Sequence, residues 1–345
     1  MLNTILPAYG FSDETSKVEA FGSGLINNTW KITSGATSYI LQRVNNEVFK
    51  EPVHIAHNIA MIAAHLKEHH PRYRFIAPLQ TLRGEEMIYQ ADNGFYRMFP
   101  FVAGSHSKDV VETPEQAYEA ATQFGRFTRL LHGIDISKLK VTIPFFHDLT
   151  LRYQQFLQSI EQGNKQRINE SGRLISHLVS HADIVTTYAG IKNDPEFRLR
   201  VTHHDTKISN VLFDGKGKGI CVIDLDTVMP GYFISDVGDM MRTYLSPVSE
   251  EEMDFEKIKV RDDFYKAIVD GYYNEMKDEL TETEKQYFFY AGTFMIYMQS
   301  LRFATDYFNN DRYYGAKYPR HNFVRANNQL VLLEKLLVKK EILAS

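Results

Sequence analysis

The hydrophobic pattern turns from strand-like to helical after about residue 102. Residues 17 to 44 read as strand, turn, strand, strand: Lys17 to Phe21, then Gly22-Ser23-Gly24, Leu25 to Thr33, a turn at Ser34-Gly35, and Ser38 to Val44. A helical repeat follows from about Glu51 to Glu68, with Ile55, Ile59, Ile62, Ala63 and Leu66 on one face. Two more strands, Glu86 to Gln90 and Phe95 to Val102, flank the Ala91-Asp92-Asn93-Gly94 turn.

From Thr113 onward helices dominate. Thr113-Pro114-Glu115-Gln116 combines an N-cap threonine, a proline at the first helical position and a capping-box glutamine. Ala117, Ala121, Phe124, Phe127 and Leu131 then recur at helical spacing until Gly133. Further helices are expected over His147 to Gln162 and Asn169 to Tyr188, followed by a loop from Gly190 to Arg200. Thr281-Glu282-Thr283-Glu284 opens a long aromatic helix to about Asn309. The pattern predicts an α+β chain with a small β-rich lobe over residues 1–102 and a large helical lobe over 103–345.

Composition removes several function classes. With 345 residues and 43% apolar content the chain can bury two cores. A formal net charge of −4, with both signs scattered, gives no footprint for nucleic acid or an anionic membrane, so the expected partner is a small molecule. Cys221 is the only cysteine, which excludes an internal disulfide and a cysteine-based metal cluster. Met1 to Gly10 carry no basic leader, and the aromatic run Phe288 to Met298 is far short of a membrane span; a cytoplasmic location is expected.

Chemistry concentrates at His203-His204-Asp205-Thr206-Lys207-Ile208-Ser209-Asn210, an H-x-D-x-K-x-x-N run. Phosphoryl transfer from a nucleoside triphosphate needs a base for the attacking hydroxyl, a cation near the moving group and metal ligands. Asp205 is the candidate base and Lys207 the cation. Asn210, with Asp224 at the end of the strand Gly219 to Ile223, offers hard oxygens for Mg²⁺ beside ATP. Between them, Val211 to Asp214 and Ile220 to Asp224 read as a hairpin around the Gly215 to Gly219 turn. His203 is expected to brace the loop, and Asp236 and Asp239, entering a helix, to anchor it from below.

The small lobe is less regular as a phosphate grip. Gly22, Ser23 and Gly24 suit a loop whose amides meet phosphate, but Asn27 stands where a third glycine is expected; Asn28 and Thr29 are candidate donors in its place. The strand Tyr39 to Val44 has no lysine; Arg43 is the cationic candidate and Gln42 the alternative occupant, since strand alternation puts only one of them on the nucleotide face. Glu47 and Glu51 are the nearest acids that could pair with that cation. Met98 and Phe99 lie where a hinge would offer backbone groups to an adenine edge. Arg302 and Asp306, one helical turn apart, predict a modest surface ion pair.

The segments Thr202 to Asp214 and Val222-Ile223-Asp224-Leu225-Asp226-Thr227-Val228-Met229-Pro230-Gly231 resemble the aminoglycoside phosphotransferase and choline kinase superfamily. Its N-acetylhexosamine 1-kinase branch is resembled more narrowly, through Gly22 to Thr29, Leu41-Gln42-Arg43-Val44-Asn45, Asp236 to Arg242 and Leu301 to Tyr307. The resemblance implies a bilobal protein-kinase-like fold and ATP-dependent phosphorylation of a hexosamine at its anomeric hydroxyl. It implies Asp205 as base and Asn210 and Asp224 as metal ligands. Asp226 is either a second metal ligand or an acceptor from the sugar, and Arg302, Asn45 and Tyr313 are the further sugar candidates. Phosphorylation of choline, homoserine or an aminoglycoside, or nucleotide binding without turnover, are the competing readings. A protein kinase is disfavoured, because no D-F-G or A-P-E segment follows the metal strand.

Overall fold

A computed structural model of the chain describes residues 4–12, 16–22, 27–91 and 94–344, and its backbone gathers into two compact units. The first comprises Met1–Ser107, Leu130–Pro144 and Val211–Pro230; the second comprises Lys108–Arg129, Phe145–Asn210 and Gly231–Ser345.

In the first unit, β1 (Ser16–Ala20), β2 (Asn28–Ser34), β3 (Thr37–Arg43), β4 (Ile88–Gln90) and β5 (Gly94–Pro100) form an antiparallel sheet in the order β1-β2-β3-β5-β4. Alternation assigns its faces. Ile32, Leu41, Tyr96 and Met98 pack with Ile5 and Leu6 into one buried cluster. Thr29, Gln42 and Arg97 lie on the opposite face, where Thr29 pairs with Gln42 and Gln42 with Arg97 in register.

Helix α1 (Pro52–His69) explains why residues 130–144 belong to this unit. The fully buried Asn58 donates from Nδ2 to the Lys140 carbonyl at 2.8 Å and the Val228 carbonyl at 2.9 Å, while its Oδ1 accepts from the Lys140 N–H at 2.8 Å. His57 and His65 donate to the carbonyls of Lys138 and Leu130. One amide and two imidazoles thus satisfy the backbone of a segment that has no ladder of its own.

The second unit is helical apart from β6 (Arg200–Thr202). Its helices α2 (Pro114–Leu130, of which the last residue belongs to the first unit) and α3 (Leu149–Gln162) match the expected periodicity. The single helix expected over Asn169 to Tyr188 is three: α4 (Lys165–Asn169), α5 (Gly172–Ser180) and α6 (Asp183–Asn193), the last running into the expected loop. The Ser171 hydroxyl donates back to the Arg167 carbonyl at 2.6 Å, a local bond that competes with helix continuation. Past α7 (Phe233–Tyr244) and α8 (Asp262–Met276), the long aromatic helix also divides, into α9 (Glu282–Lys285) and α10 (Phe288–Phe308). The Thr281–Glu284 capping box forms as read, and the same buried glutamate also pairs with Arg200.

Helix α10 is the axis of this unit, covered by α3, α7 and α11 (His321–Val338), with α12 (Lys340–Leu343) beyond. At its crossing with α7 a Cβ on Gly238 would stand 2.3 Å from the Ala291 carbonyl, so only glycine permits this approach. In the first unit, β7 (Val211–Phe213) and β8 (Gly219–Val222) form the expected hairpin.

Candidate active site

The loop after β6 is held by two acids of α7. Asp236 accepts the backbone N–H of His203 on Oδ2 at 3.0 Å and that of His204 on Oδ1 at 2.8 Å. Asp239 accepts the N–H of Thr206 at 2.8 Å, and the Thr206 hydroxyl donates to the Asp236 carbonyl at 2.7 Å. Tyr244, one helical turn on, donates to the Thr206 carbonyl at 2.6 Å. These bonds stabilise the left-handed backbone of His204 (φ 65°), a conformation that costs a β-carbon-bearing residue about 1–3 kcal/mol. The His203 ring is fully buried and meets Phe124 and Phe127 edge-on, so it braces the loop by packing as well as through its amide.

The His204 ring is lodged with Nε2 2.7 Å from the Thr202 hydroxyl and Nδ1 3.3 Å from Nδ1 of His147. A Cβ on Gly231 would lie 2.4 Å from its Cε1, so glycine is what admits the imidazole. His147 stacks on Phe146 at 4.3 Å. Burial, then the neighbouring His204 and the guanidinium groups of Arg302, Arg242 and Arg152, hold the His147 imidazole well below its ordinary pKa.

The bend delivers Asp205 with its side chain 22% exposed, and the Lys207 ammonium lies 3.1 Å from its Oδ1. The Asn210 amide donates to the Asp205 carbonyl at 2.8 Å and to Oδ2 at 3.1 Å, and Asn210 Oδ1 meets no donor among the described residues. Burial works to raise the Asp205 pKa, but Lys207, His203 and Arg242 outweigh it and hold the carboxyl below the usual range. Asp205 in turn raises the Lys207 pKa. The resting pair is a carboxylate and an ammonium at neutral pH. Asp236 differs: burial, with the like charge of Asp239, pushes its carboxyl up to about 7 against the pull of its two amide donors.

Behind this loop a chain of charges runs through the second unit. Arg242 bonds Asp239 at 2.9 Å and Glu250 at 2.8 Å, and Arg325 pairs with Glu250 from the other side. The arginine one turn before Asp306 does not enter it. The expected Arg302–Asp306 ion pair is absent: Asp306 is buried and accepts the backbone N–H groups of Tyr313 at 2.7 Å and Tyr314 at 2.9 Å. Arg302 is instead ringed by Phe146, Tyr313 and Tyr314, 5.4–5.8 Å from their centroids, and donates to Gln299 Oε1 at 3.2 Å. Among the described residues no carboxylate meets it.

The first unit carries the other candidates. Asp224 follows β8, exposed and left-handed (φ 60°), at the step into a single turn over Leu225–Thr227. Asp226 in that turn is buried, and both its oxygens meet protein donors. Arg97 Nη2 lies 2.5 Å from Oδ1, and Asn27 Nδ2 donates to Oδ2 at 2.8 Å. Arg97 is itself 1% exposed and donates to Gln42 Oε1 at 2.8 and 3.1 Å. The pair expected from a strand cation and Glu47 or Glu51 is therefore built from other residues. Gln42, not Arg43, shares the face with Thr29 and the buried cation, while Arg43 falls on the Leu41 face and its side chain pairs with no carboxylate among the described residues. Glu47 and Glu51 are exposed.

Other small-lobe candidates divide. Met98 is a correction: its side chain is fully buried in the sheet core and its carbonyl accepts the Leu79 N–H at 2.7 Å, so that group is not free for an adenine edge. Phe99, beside it on β5, has its ring under the Arg97 guanidinium at 5.0 Å. Asn45 uses Oδ1 to accept the Glu47 N–H, and its own N–H meets Asn27 Oδ1. Gly22 is left-handed and Asn28 is exposed at the start of β2. Ser23 and Gly24 lie outside the described residues. Arg97 and His147 were missed from sequence, and Asp306 was read only as the partner of Arg302. Arg97 had a signal, since a lone guanidinium inside an apolar strand requires a buried partner.

A family model described as the phosphotransferase enzyme family matches residues 17–272. Among solved structures the chain is similar to the amicoumacin kinase hAmiN in complex with AMP-PNP, Ca²⁺ and amicoumacin (TM-score 0.63, 15% identity, 97% of this chain and 92% of that one). It is similar to a microcompartment-associated aminopropanol kinase (TM-score 0.61, 15% identity, 98% and 97%). It is also similar to choline kinase from Cryptosporidium parvum Iowa II (TM-score 0.58, 12% identity, 99% and 94%). At such identities these likenesses establish the kinase-like α+β fold, and the family model assigns the chemistry class. No helix among the described residues is long and apolar enough to cross a membrane. The chain belongs to the phosphotransferase enzyme family.

Proposed function

We propose that the protein is an ATP- and Mg²⁺-dependent small-molecule kinase that phosphorylates the anomeric hydroxyl of an N-acetylhexosamine, N-acetylglucosamine or N-acetylgalactosamine, to the sugar 1-phosphate. The observation that carries the kinase reading is the Asp205 carboxyl held between Lys207 and Asn210 on a loop that α7 fixes. In this reading the sugar hydroxyl oxygen attacks the γ-phosphorus as ADP leaves, and its proton passes to Asp205. Lys207 neutralises charge on the transferring group. Asn210 Oδ1, an acceptor that meets no donor among the described residues, fits a hard cation, and Asp224 is the other residue proposed as a metal ligand. Among the described residues no three His, Cys, Asp or Glu side chains gather as a metal cage, so nucleotide oxygens and water would complete such a shell. The Mg²⁺ would neutralise the triphosphate. Gly22, Ser23, Gly24, Asn28 and Thr29 are proposed on the phosphate side, with residues 1–102 serving nucleotide and 103–345 acceptor and chemistry.

The acceptor class is argued from Arg302. The similar structures include amicoumacin, aminopropanol and choline kinases, so the fold leaves the acceptor open. A cationic acceptor asks for acids or vacant aromatic faces. Here Phe146, Tyr313 and Tyr314 already surround the protein's own guanidinium, which suits a neutral acceptor rich in oxygen lone pairs. Asp226 would join the sugar site only by exchanging a bond to Asn27 or Arg97. The test is incubation of purified protein with ATP, Mg²⁺ and a panel of acceptors, read by mass and by acid lability of the new phosphate. An acid-labile product from an N-acetylhexosamine is expected; turnover of choline, homoserine or an aminoglycoside alone would overturn the acceptor assignment. The second reading, a nucleotide-binding scaffold, is motivated by the burial of Arg97 against Asp226. It requires a wild type that binds ATP and turns over nothing.

A further inference from the structure

We propose that Asp306 is a positioning residue for the acceptor: it fixes the course of the segment 309–320 and, through it, where Tyr313 stands. This rests on the acceptor reading above. Three residues of the segment other than glycine are left-handed, Asn310 (φ 63°), Asp311 (φ 58°) and Arg320 (φ 70°), as is Gly315. Residues with side chains adopt this region at a cost, so the surrounding bonds must impose the loop's course.

Those bonds converge on two buried side chains. Asp306 gives one oxygen to the Tyr313 N–H and the other to the Tyr314 N–H, while its backbone carbonyl accepts from Asp311 N at 2.8 Å. Asn322, fully buried at the far end of the loop, donates from Nδ2 to Asp306 Oδ2 at 3.1 Å, Asp311 Oδ1 at 2.9 Å and the Gly315 carbonyl at 2.8 Å. The carboxylate so engaged is the one that helical spacing would have given to Arg302. Its capture has two results at once. Arg302 is left without a counter-ion among the described residues, and Tyr313 is delivered beside it, hydroxyl 3.5 Å from Nη2, with 67% of the residue in solvent. Tyr314, next along, accepts from Gln299 Nε2 at 3.1 Å. A large aromatic held out in water by a strained, doubly anchored loop, next to an uncompensated guanidinium, is a surface prepared for a ligand with a flat apolar face and hydroxyl groups.

The test uses the full chain and three readouts. Asp306→Asn puts N–H groups against N–H groups, and Tyr313→Ala removes an exposed side chain that the fold does not need. Both are expected to raise the acceptor KM tenfold or more with the ATP KM within twofold. Asp306→Asn is also expected to speed tryptic cleavage after Arg312, Lys317 or Arg320, whereas Tyr313→Ala is not. If Asp306→Asn does not fold, Tyr313→Ala alone decides. Acceptor and ATP constants that move together, or an acceptor KM unmoved by Tyr313→Ala, would overturn the positioning role while wild-type turnover leaves the kinase reading standing. A wild type without turnover on any acceptor removes that reading and this one with it.

Discussion

Arg97 and Asp226 form an ion pair 2.5 Å apart with side chains 1% and 3% exposed, which makes each the condition for burying the other. Removing one partner strands the second charge, at a cost of about 3–5 kcal/mol, whereas removing both together with apolar residues can be close to neutral. Arg97→Met is therefore expected to lower stability severely, and Arg97→Met with Asp226→Leu to recover much of it. Denaturant melts of the two singles and the double measure this. A double as unstable as the singles would show that the pair does more than compensate charge.

Lys207 is the leading charge that holds the Asp205 pKa down. Lys207→Met removes it while Asn210 still bonds the carboxylate, so the acid limb of the kcat/KM profile is expected to move to higher pH. The value of kcat should fall by roughly 10²-fold or more. Asp205→Asn should abolish turnover and keep nucleotide affinity. A Lys207→Met profile with an unmoved acid limb would mean that another group sets it.

Two groups packed about the loop, His147 and Asp236, give the fold opposite pH dependences. His147 has a depressed folded pKa, so its stabilisation is full above about 6.5 and declines as pH falls below that value, by up to about 1.4 kcal/mol per unit. Asp236 has a raised folded pKa of about 7, so its contribution is full below the ordinary carboxylate value and is lost as pH rises through about 7. His147→Gln should therefore flatten the acid side of a Tm profile, and Asp236→Asn the neutral side, whatever each does to the mean. Profiles that keep the wild-type shape in both variants would contradict the assignment.

Gly231→Ala sets a methyl 2.4 Å from both His204 Cε1 and the Thr202 hydroxyl. His204 cannot retreat without straining its amide bond to Asp236. A loss of about 1–3 kcal/mol is expected, with kcat reduced more than either KM because the displaced residue adjoins the base. Unchanged melting and turnover would show that the loop has more room than the contact distance allows.

Much of this was legible in the chain. Strand alternation placed the five-stranded sheet, and Asp236 and Asp239 lie under the loop as their position after the metal strand suggested. What failed was pairing. The Arg302–Asp306 spacing predicts an ion pair only if nothing else competes, and the competing donors are backbone amides whose proximity depends on four left-handed residues. Met98 reads as a hinge until Leu79 returns to bond its carbonyl. Arg97 was visible as an oddity in an apolar strand, yet its partner lies far along the sequence, where no local pattern reaches.

The backbone of His203, His204 and Thr206 has its donors answered by a helix that is synthesised some thirty residues later. A nascent chain ending before Phe233 would possess every letter of the His203–Asn210 run without the helix that answers its amides. On the proposed reading, competence is thus a late event in the protein's own assembly, since the candidate base acquires its bearing only when α7 docks.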